Sequence, residues 1–141
     1  MRVLALDYGS ARCGCALSDP TGTIVTPVEV VARPATKRGY ARLRELVRER
    51  GVERVVVGLP LSLDGSDTEQ TRETRAFASE LSQRLGESIP VEMHDERFTT
   101  RLAQRMDVAG GTRGAGAVFN TSEDSRAAAH LLESWLAARS R

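Results

Sequence analysis

Val3-Leu4-Ala5-Leu6 is apolar at every position and runs directly into an acid, Asp7. A run without polar alternation has both faces buried, as in a central strand covered by helices on each side. Tyr8-Gly9-Ser10 then signals a turn, and Cys13-Gly14-Cys15-Ala16-Leu17 starts a second run of small and apolar residues. The pattern reads as a strand, a tight turn and an antiparallel strand. A carboxylate at the end of a central strand costs desolvation unless it is paired or holds a metal. Gly9 and Gly14 leave room for a ligand or another backbone to approach. The competing explanation is that Asp7 only opens the turn, where Asp is common.

The same reasoning extends along the chain. Ile24 to Val31 is a third strand, between Pro20-Thr21-Gly22 and Pro34. Three consecutive strands imply an antiparallel meander. A helix is expected from Thr36 to Arg50, with Tyr40, Leu43 and Leu46-Val47 on one face and Gly51 as its stop. Glu53 to Gly58 is a fourth strand, whose Val55-Val56-Val57 core indicates burial on both faces and parallel pairing. Gly58-Leu59-Pro60 breaks it. A second helix is expected from Ser66 to Gly86, with Ala78, Leu81 and Leu85 inward, then a short fifth strand from Pro90 to His94. A third helix is expected from Thr99, with Leu102, Ala103 and Met106 inward. The segment 110–120 is glycine-rich. A last helix starts near Asn120 to Ser122, with Ala127-Ala128, Leu131-Leu132 and Trp135-Leu136 inward. The order β-β-β-α-β-α-β-α-α gives an α/β fold: a mixed five-stranded sheet, meander first and parallel strands after, flanked by helices. At 141 residues the chain suggests one domain, 1–141.

Acids stand at the ends of elements: Asp7 ends the first strand, Asp95 and Glu96 end the fifth, and Asp124 lies in the first turn of the last helix. Ligands of α/β sheets bind beyond the carboxyl ends of the parallel strands. That edge would collect Asp7, the loop of Gly58 and Pro60, and Glu96, with Asp124 joining if the last helix packs across it. Carboxylates gathered without matching basic residues repel one another, and a divalent cation relieves the repulsion. All-oxygen ligation suits Mg²⁺ or Mn²⁺, and such a metal activates water in phosphodiester hydrolysis. Each acid also has a structural alternative. Thr121-x-x-Asp124 matches a capping pattern, and Glu96 could pair with Arg97 or Arg101. Asp95 adjoins the site acid, and His94 is a candidate proton-transfer group or a structural residue.

Charge and cysteine content narrow the function classes. With a formal net charge of +1, bulk electrostatics alone would not hold a polyanion. A local basic patch or a metal must do so. No apolar run approaches the roughly 18 residues of a membrane span, and the N-terminus does not read as a signal peptide. Two cysteines make no disulfide framework, so cytoplasm is the expected location. Cys13 and Cys15 share one strand face and are expected to be small buried side chains; a disulfide to a second chain would require one of them to be exposed.

Four motifs now carry a resemblance. Asp7-Tyr8-Gly9-Ser10-Ala11-Arg12-Cys13-Gly14, Gly58-Leu59-Pro60-Leu61 with Asp64-Gly65, Asp95-Glu96-Arg97-Phe98-Thr99-Thr100 and Asp124-Ser125-Arg126-Ala127-Ala128 together resemble the YqgF/RuvX family, in the same order and across essentially the whole chain. The resemblance implies a ribonuclease H-like fold related to the Holliday-junction resolvase RuvC. It implies a metal-dependent nuclease that matures the 5′ end of pre-16S rRNA or resolves branched DNA, with Mg²⁺ or Mn²⁺ held by Asp7, Glu96 and Asp124. Ala11 stands where the family often has a lysine, which leaves Arg12, Arg97, Arg101, Arg105 and Arg113 as the basic candidates for nucleic-acid contact. Arg101 and Arg105 are spaced i, i+4 and could track phosphates. Symmetric junction cutting would need a homodimer. Two other functions fit less of the pattern: a non-catalytic nucleic-acid or ribosome-binding module, and an actin-like ATP-binding fragment, whose phosphate loop Asp-x-Gly-Ser also resembles but whose second lobe this length cannot supply.

Overall fold

Side-chain alternation along five strands decides which residues face which helix. The computed structural model describes residues 1–97 and 123–140. Within them the order is β1 (Val3–Asp7), β2 (Arg12–Ser18), β3 (Val25–Ala32), α1 (Lys37–Glu49), β4 (Arg54–Leu59), α2 (Glu69–Leu85), β5 (Val91–Asp95) and α3 (Glu123–Arg139). The strands form one sheet in the order β3-β2-β1-β4-β5. β1 pairs antiparallel with β2 and parallel with β4, β4 pairs parallel with β5, and β2 pairs antiparallel with β3. The mixed sheet expected from the sequence is therefore present. The expected helix from Thr99, with Leu102, Ala103 and Met106, and the glycine-rich segment 110–120 lie outside the described residues.

The apolar runs are central, as their lack of alternation required. Val3, Leu4, Ala5 and Leu6 are fully buried, as are Val55, Val56 and Val57. Leu4, Leu6, Cys13, Cys15, Val55 and Val57 pack with Tyr40, Leu43, Leu46, Phe77 and Leu81 from α1 and α2. Val3, Ala5, Ala16 and Val56, one residue out of phase, pack with Ala128, Leu131, Leu132 and Trp135 from α3. Helices thus cover both faces of the sheet. Cys13 and Cys15 are free and buried in the α1/α2 core, as small apolar side chains. Their burial removes the possibility of an exposed thiol joining two chains.

Element ends follow local chemistry. Thr36 caps α1 by accepting from the Gly39 N–H at 3.1 Å. α2 starts at Glu69 rather than at the expected Ser66. Thr68 and Thr71 form a reciprocal capping box there, while the Ser66 N–H donates to Asp64 Oδ1 at 2.9 Å and stays in its own turn. β3 runs one residue later than expected at each end. It contains Pro27, which a ladder tolerates because β3 is an edge strand. β4 continues through Gly58 to Leu59, so Gly58 stays in the ladder opposite His94 and does not break the strand.

α3 reaches the sheet through one glycine. A Cβ on Gly14 would lie 2.0 Å from the Asp124 carbonyl oxygen and 2.8 Å from the Ser125 nitrogen. Backbone cannot yield to such an overlap as a flexible side chain can. Gly14→Ala is expected to push the first turn of α3 off β2 and lower stability by about 1–3 kcal/mol, the range for overpacking a rigid contact. Denaturant unfolding measures it; an unchanged midpoint would mean that α3 shifts at no cost.

Candidate active site

Phase along the strands also builds the site. Asp7 follows Ala5 by two residues, so it shares the face that packs against α3. Tyr8 takes the opposite face, where its ring stacks on Phe77 of α2 with centroids 4.4 Å apart. This stack anchors the chain immediately after Asp7. Asp7 pairs across the sheet with Gly14, the residue over which α3 begins. Asp124, in the first turn of α3, is thereby brought beside Asp7. On the other side, β4 makes room for Glu96. A Cβ on Gly58 would lie 2.8 Å from Glu96 Cγ and 2.9 Å from Cδ. Gly14 and Gly58 are thus the two gaps that admit Asp124 and Glu96 from either side of Asp7. Gly9 serves the turn, since a Cβ there would sit 2.9 Å from the Arg12 carbonyl oxygen. Pro60 fixes the loop beyond β4, its carbonyl accepting from Thr71 Oγ1 at 2.5 Å.

The electrostatics single out two of the acids. Burial, and secondarily the Asp124 carboxylate, pushes the Asp7 carboxyl up to about 6. Burial, followed by Asp7 and Asp95, pushes Glu96 up to about 7. Desolvation and like charge act in the same direction here. The carboxylates on either side have cationic partners, which corrects the expectation of acids without matching basic residues. Arg12 Nε donates to Asp124 Oδ2 at 2.9 Å. Arg97 Nε and Nη2 grip Asp95, at 3.0 and 2.6 Å to Oδ2, and hold its carboxyl below the usual range. Arg97 also donates through Nη1 to the Leu63 carbonyl at 3.1 Å, tying the end of β5 to the loop after β4. Arg97 thus pairs with Asp95, and Arg101, the other partner considered for Glu96, lies outside the described residues.

His94 belongs to the packing of α3. Its Nε2 lies 2.9 Å from Ser134 Oγ, and burial lowers its pKa. Among the described residues no three His, Cys, Asp or Glu side chains form a ready metal cluster. The donor chemistry nevertheless fits a hard cation: two carboxyl groups whose pKa values are raised, chiefly by burial, with a third carboxylate electrostatically coupled to Asp7 and engaged by Arg12. Arg101, Arg105 and Arg113 lie outside the described residues. The reading of the sequence missed the Arg12–Asp124 and Arg97–Leu63 contacts. Arg12 stands two residues before Gly14 and so shares its strand face, a spacing that carried the first of these signals.

Asp7 and Glu96 make a pH prediction for the metal-free protein. Between the ordinary carboxylate value near 4 and about 6, folded Asp7 keeps a proton that the unfolded chain has released, so stability falls as pH rises. Glu96 adds the same trend up to about 7. Below pH 4 both acids are protonated in either state and the penalty vanishes. Asp7→Asn should therefore be more stable than the parent by about 1–2 kcal/mol at pH 8, with the gain shrinking to nothing near pH 4. Thermal melts in EDTA across that range measure this; a pH-independent difference would contradict it.

The arrangement has relatives. The family model RuvX, described as Holliday junction resolvase, matches residues 1–138. A protein of Mycobacteroides abscessus named "Putative pre-16S rRNA nuclease" is 40% identical over 144 residues, covering 99% of this chain and 83% of that protein. A protein of the same name from Maridesulfovibrio salexigens is 37% identical over 137 residues, covering 97% and 98%. The fold is that of Thermus thermophilus RuvC, with a TM-score of 0.65, 18% identity and coverage of 99% and 96%. The same protein in complex with a Holliday junction substrate gives a TM-score of 0.63 at 20% identity, with the same coverage. Together with the Asp7, Glu96 and Asp124 motifs in their expected order, these matches show that the chain belongs to the RuvX family, with a ribonuclease H-like fold.

Proposed function

We propose that this chain is a divalent-cation-dependent nuclease that hydrolyses phosphodiester bonds in structured nucleic acid, with the 5′ end of pre-16S rRNA as its first substrate. The observation that carries the reading is the convergence of Asp7, Glu96 and Asp124 on one sheet edge through Gly14 and Gly58, at a site where burial disfavours bare carboxylates. The rRNA assignment rests on the near-full-length relatives that bear that name. Branched DNA is the second reading, favoured by the description of the family.

Asp7 and Glu96 would hold the cation, with Asp124 as the third ligand. A Mg²⁺ or Mn²⁺ ion bound there would supply a water of lowered pKa and neutralise charge on the phosphate. The chain's own residues do the rest. Arg12 and the Arg97 end of β5 place positive charge on either side of the acids. Arg101, Arg105 and Arg113 are proposed from the sequence as further backbone contacts. Gly9 lets the turn after Asp7 close on the Arg12 carbonyl, which holds that end of the site in place. With few aromatic residues in the chain, recognition by shape and phosphate spacing is favoured over base stacking.

The test is a cleavage assay on a pre-16S rRNA fragment, a four-way DNA junction and single-stranded DNA. The rRNA fragment should be cut with Mg²⁺ or Mn²⁺ and left intact in excess EDTA. Asp7→Asn should lower the rate by at least about 100-fold, on the scale of losing a principal electrostatic group, while binding stays within a few-fold. Full activity in EDTA would refute the metal-dependent reading. Paired symmetric cuts in the junction alone would shift the substrate to DNA and require two copies of the chain.

A further inference from the structure

We propose that Arg12 is a positioning residue that latches the Asp124 carboxylate away from the cation site and releases it when a divalent cation binds, freeing its guanidinium for substrate phosphate. The inference rests on the cation-dependent reading above and adds a coupling between metal and nucleic acid to it.

Three observations converge. First, Arg12 and Asp124 are 112 residues apart, and their contact exists only because Gly14 lets the first turn of α3 settle on β2. Arg12 lies two residues from Gly14 on the same strand face, so it stands beside Asp124 at the open end of the site. Second, the bond runs from Nε to Oδ2, and the two side chains remain 65% and 39% exposed. The Nη groups are therefore within reach of another anion, and Asp124 can turn without unpacking a core. Third, among the described residues no three His, Cys, Asp or Glu side chains form a ready cluster, and Asp124 already has a cation on it.

A carboxylate oxygen cannot serve the arginine and the metal fully at once. An exposed ion pair is weak enough to be displaced, with typical measured values of only about 0.2–1 kcal/mol. A divalent ion between the acids outcompetes a single exposed guanidinium for Asp124. Once released, Arg12 can donate through its planar fork to a phosphate. The linkage is reciprocal: phosphate drawing Arg12 away makes Asp124 available and favours the metal. Before either ligand arrives, the latch offsets part of the repulsion between Asp124 and Asp7.

The test uses full-length protein and Mn²⁺ alone, without nucleic acid. Calorimetry is run on the parent, Arg12→Ala, Asp124→Asn and the double variant at one pH and ionic strength. Removing the latch should tighten Mn²⁺ binding about two- to five-fold, the range that an exposed ion pair supports, and Asp124→Asn should weaken it. In the Asp124→Asn background, Arg12→Ala should change nothing, because no latch remains. An Arg12→Ala effect that persists there would reduce Arg12 to a through-space charge and overturn the proposal, as would unchanged affinity in the single variant. If Asp124→Asn binds too weakly to titrate, the Arg12 Nε–H resonance provides a second reading. It should move on addition of diamagnetic Mg²⁺, and an unmoved signal would overturn the latch. Parent protein that binds neither ion would remove the cation-dependent reading itself, and the latch with it. A parent that binds Mn²⁺ as tightly as Arg12→Ala removes the latch alone.

Discussion

The site depends on one backbone-to-backbone contact, the seat of α3 on Gly14. A helix normally stands off a sheet by the thickness of its side chains. Here the Asp124 carbonyl comes so close to Gly14 that a methyl group could not fit between them. Gly14 is the strand partner of Asp7, so the contact sets the distance between two acids that are 117 positions apart in the chain. The rest of α3 keeps this placement. Ala128, Leu131, Leu132 and Trp135 fill the face of Val3, Ala5 and Val56, while Trp135 Nε1 donates to Glu92 at 2.8 Å and Ser134 meets His94. Both of those polar contacts land on β5, the strand that delivers Glu96.

The two faces of the sheet have divided roles. Aromatic side chains from α1, α2 and the turn after β1 lie in the face toward α1 and α2, where Phe77 stacks between Tyr8 and Tyr40. The face toward α3 carries smaller residues near its open end and finishes in Asp7, Gly14 and Gly58. Because the phase of β1 assigns Asp7 to one face and Tyr8 to the other, a one-residue slip in register would exchange candidate-site and core residues. Val3, Leu4, Ala5 and Leu6 are all fully buried, so that slip would also repack the cores on both faces of the sheet, and small-for-large exchanges in a close-packed core are costly.

Most of this frame was legible in the sequence because it rests on periodicity. Val3–Leu6 and Val55–Val57 announced central strands, Tyr40, Leu43, Leu46 and Val47 announced the face of α1, and the acids announced one edge. What escaped were choices that periodicity does not encode. The start of α2 was decided by a threonine pair three residues apart and a competing turn around Asp64. Gly58 looked like a strand breaker, since composition cannot distinguish a glycine that ends a ladder from one that stays in it to admit a neighbouring side chain. Asp95 and Glu96 are adjacent acids at the end of one strand, and sequence alone could not say which of them Arg97 would take. Long-range pairs such as Arg12 with Asp124 depend on a helix seat that appears only once the sheet is assembled.

The division between Asp95 and Glu96 shows how an ambiguous motif becomes a specific site. Successive residues leaving a strand diverge, so two adjacent acids cannot both enter the same gap. Asp95 meets Arg97, whose backbone N–H also donates to Asp95 Oδ1 at 2.9 Å, and the pair closes into a local turn. That turn directs Glu96 over Gly58, where burial raises its pKa and Asp7 raises it further. The same arginine reaches the Leu63 carbonyl and fixes the loop on the far side of Gly58. Arg97 thus stabilises Asp95, while Glu96 packs against Gly58 and is electrostatically coupled to Asp7. An arginine beside a candidate-site carboxylate is readily assigned to a ligand, but here Arg97 serves the chain's own geometry. Charge at this edge is arranged so that arginines engage the flanking acids, Asp95 and Asp124, while burial holds Asp7 and Glu96 above the ordinary carboxylate range.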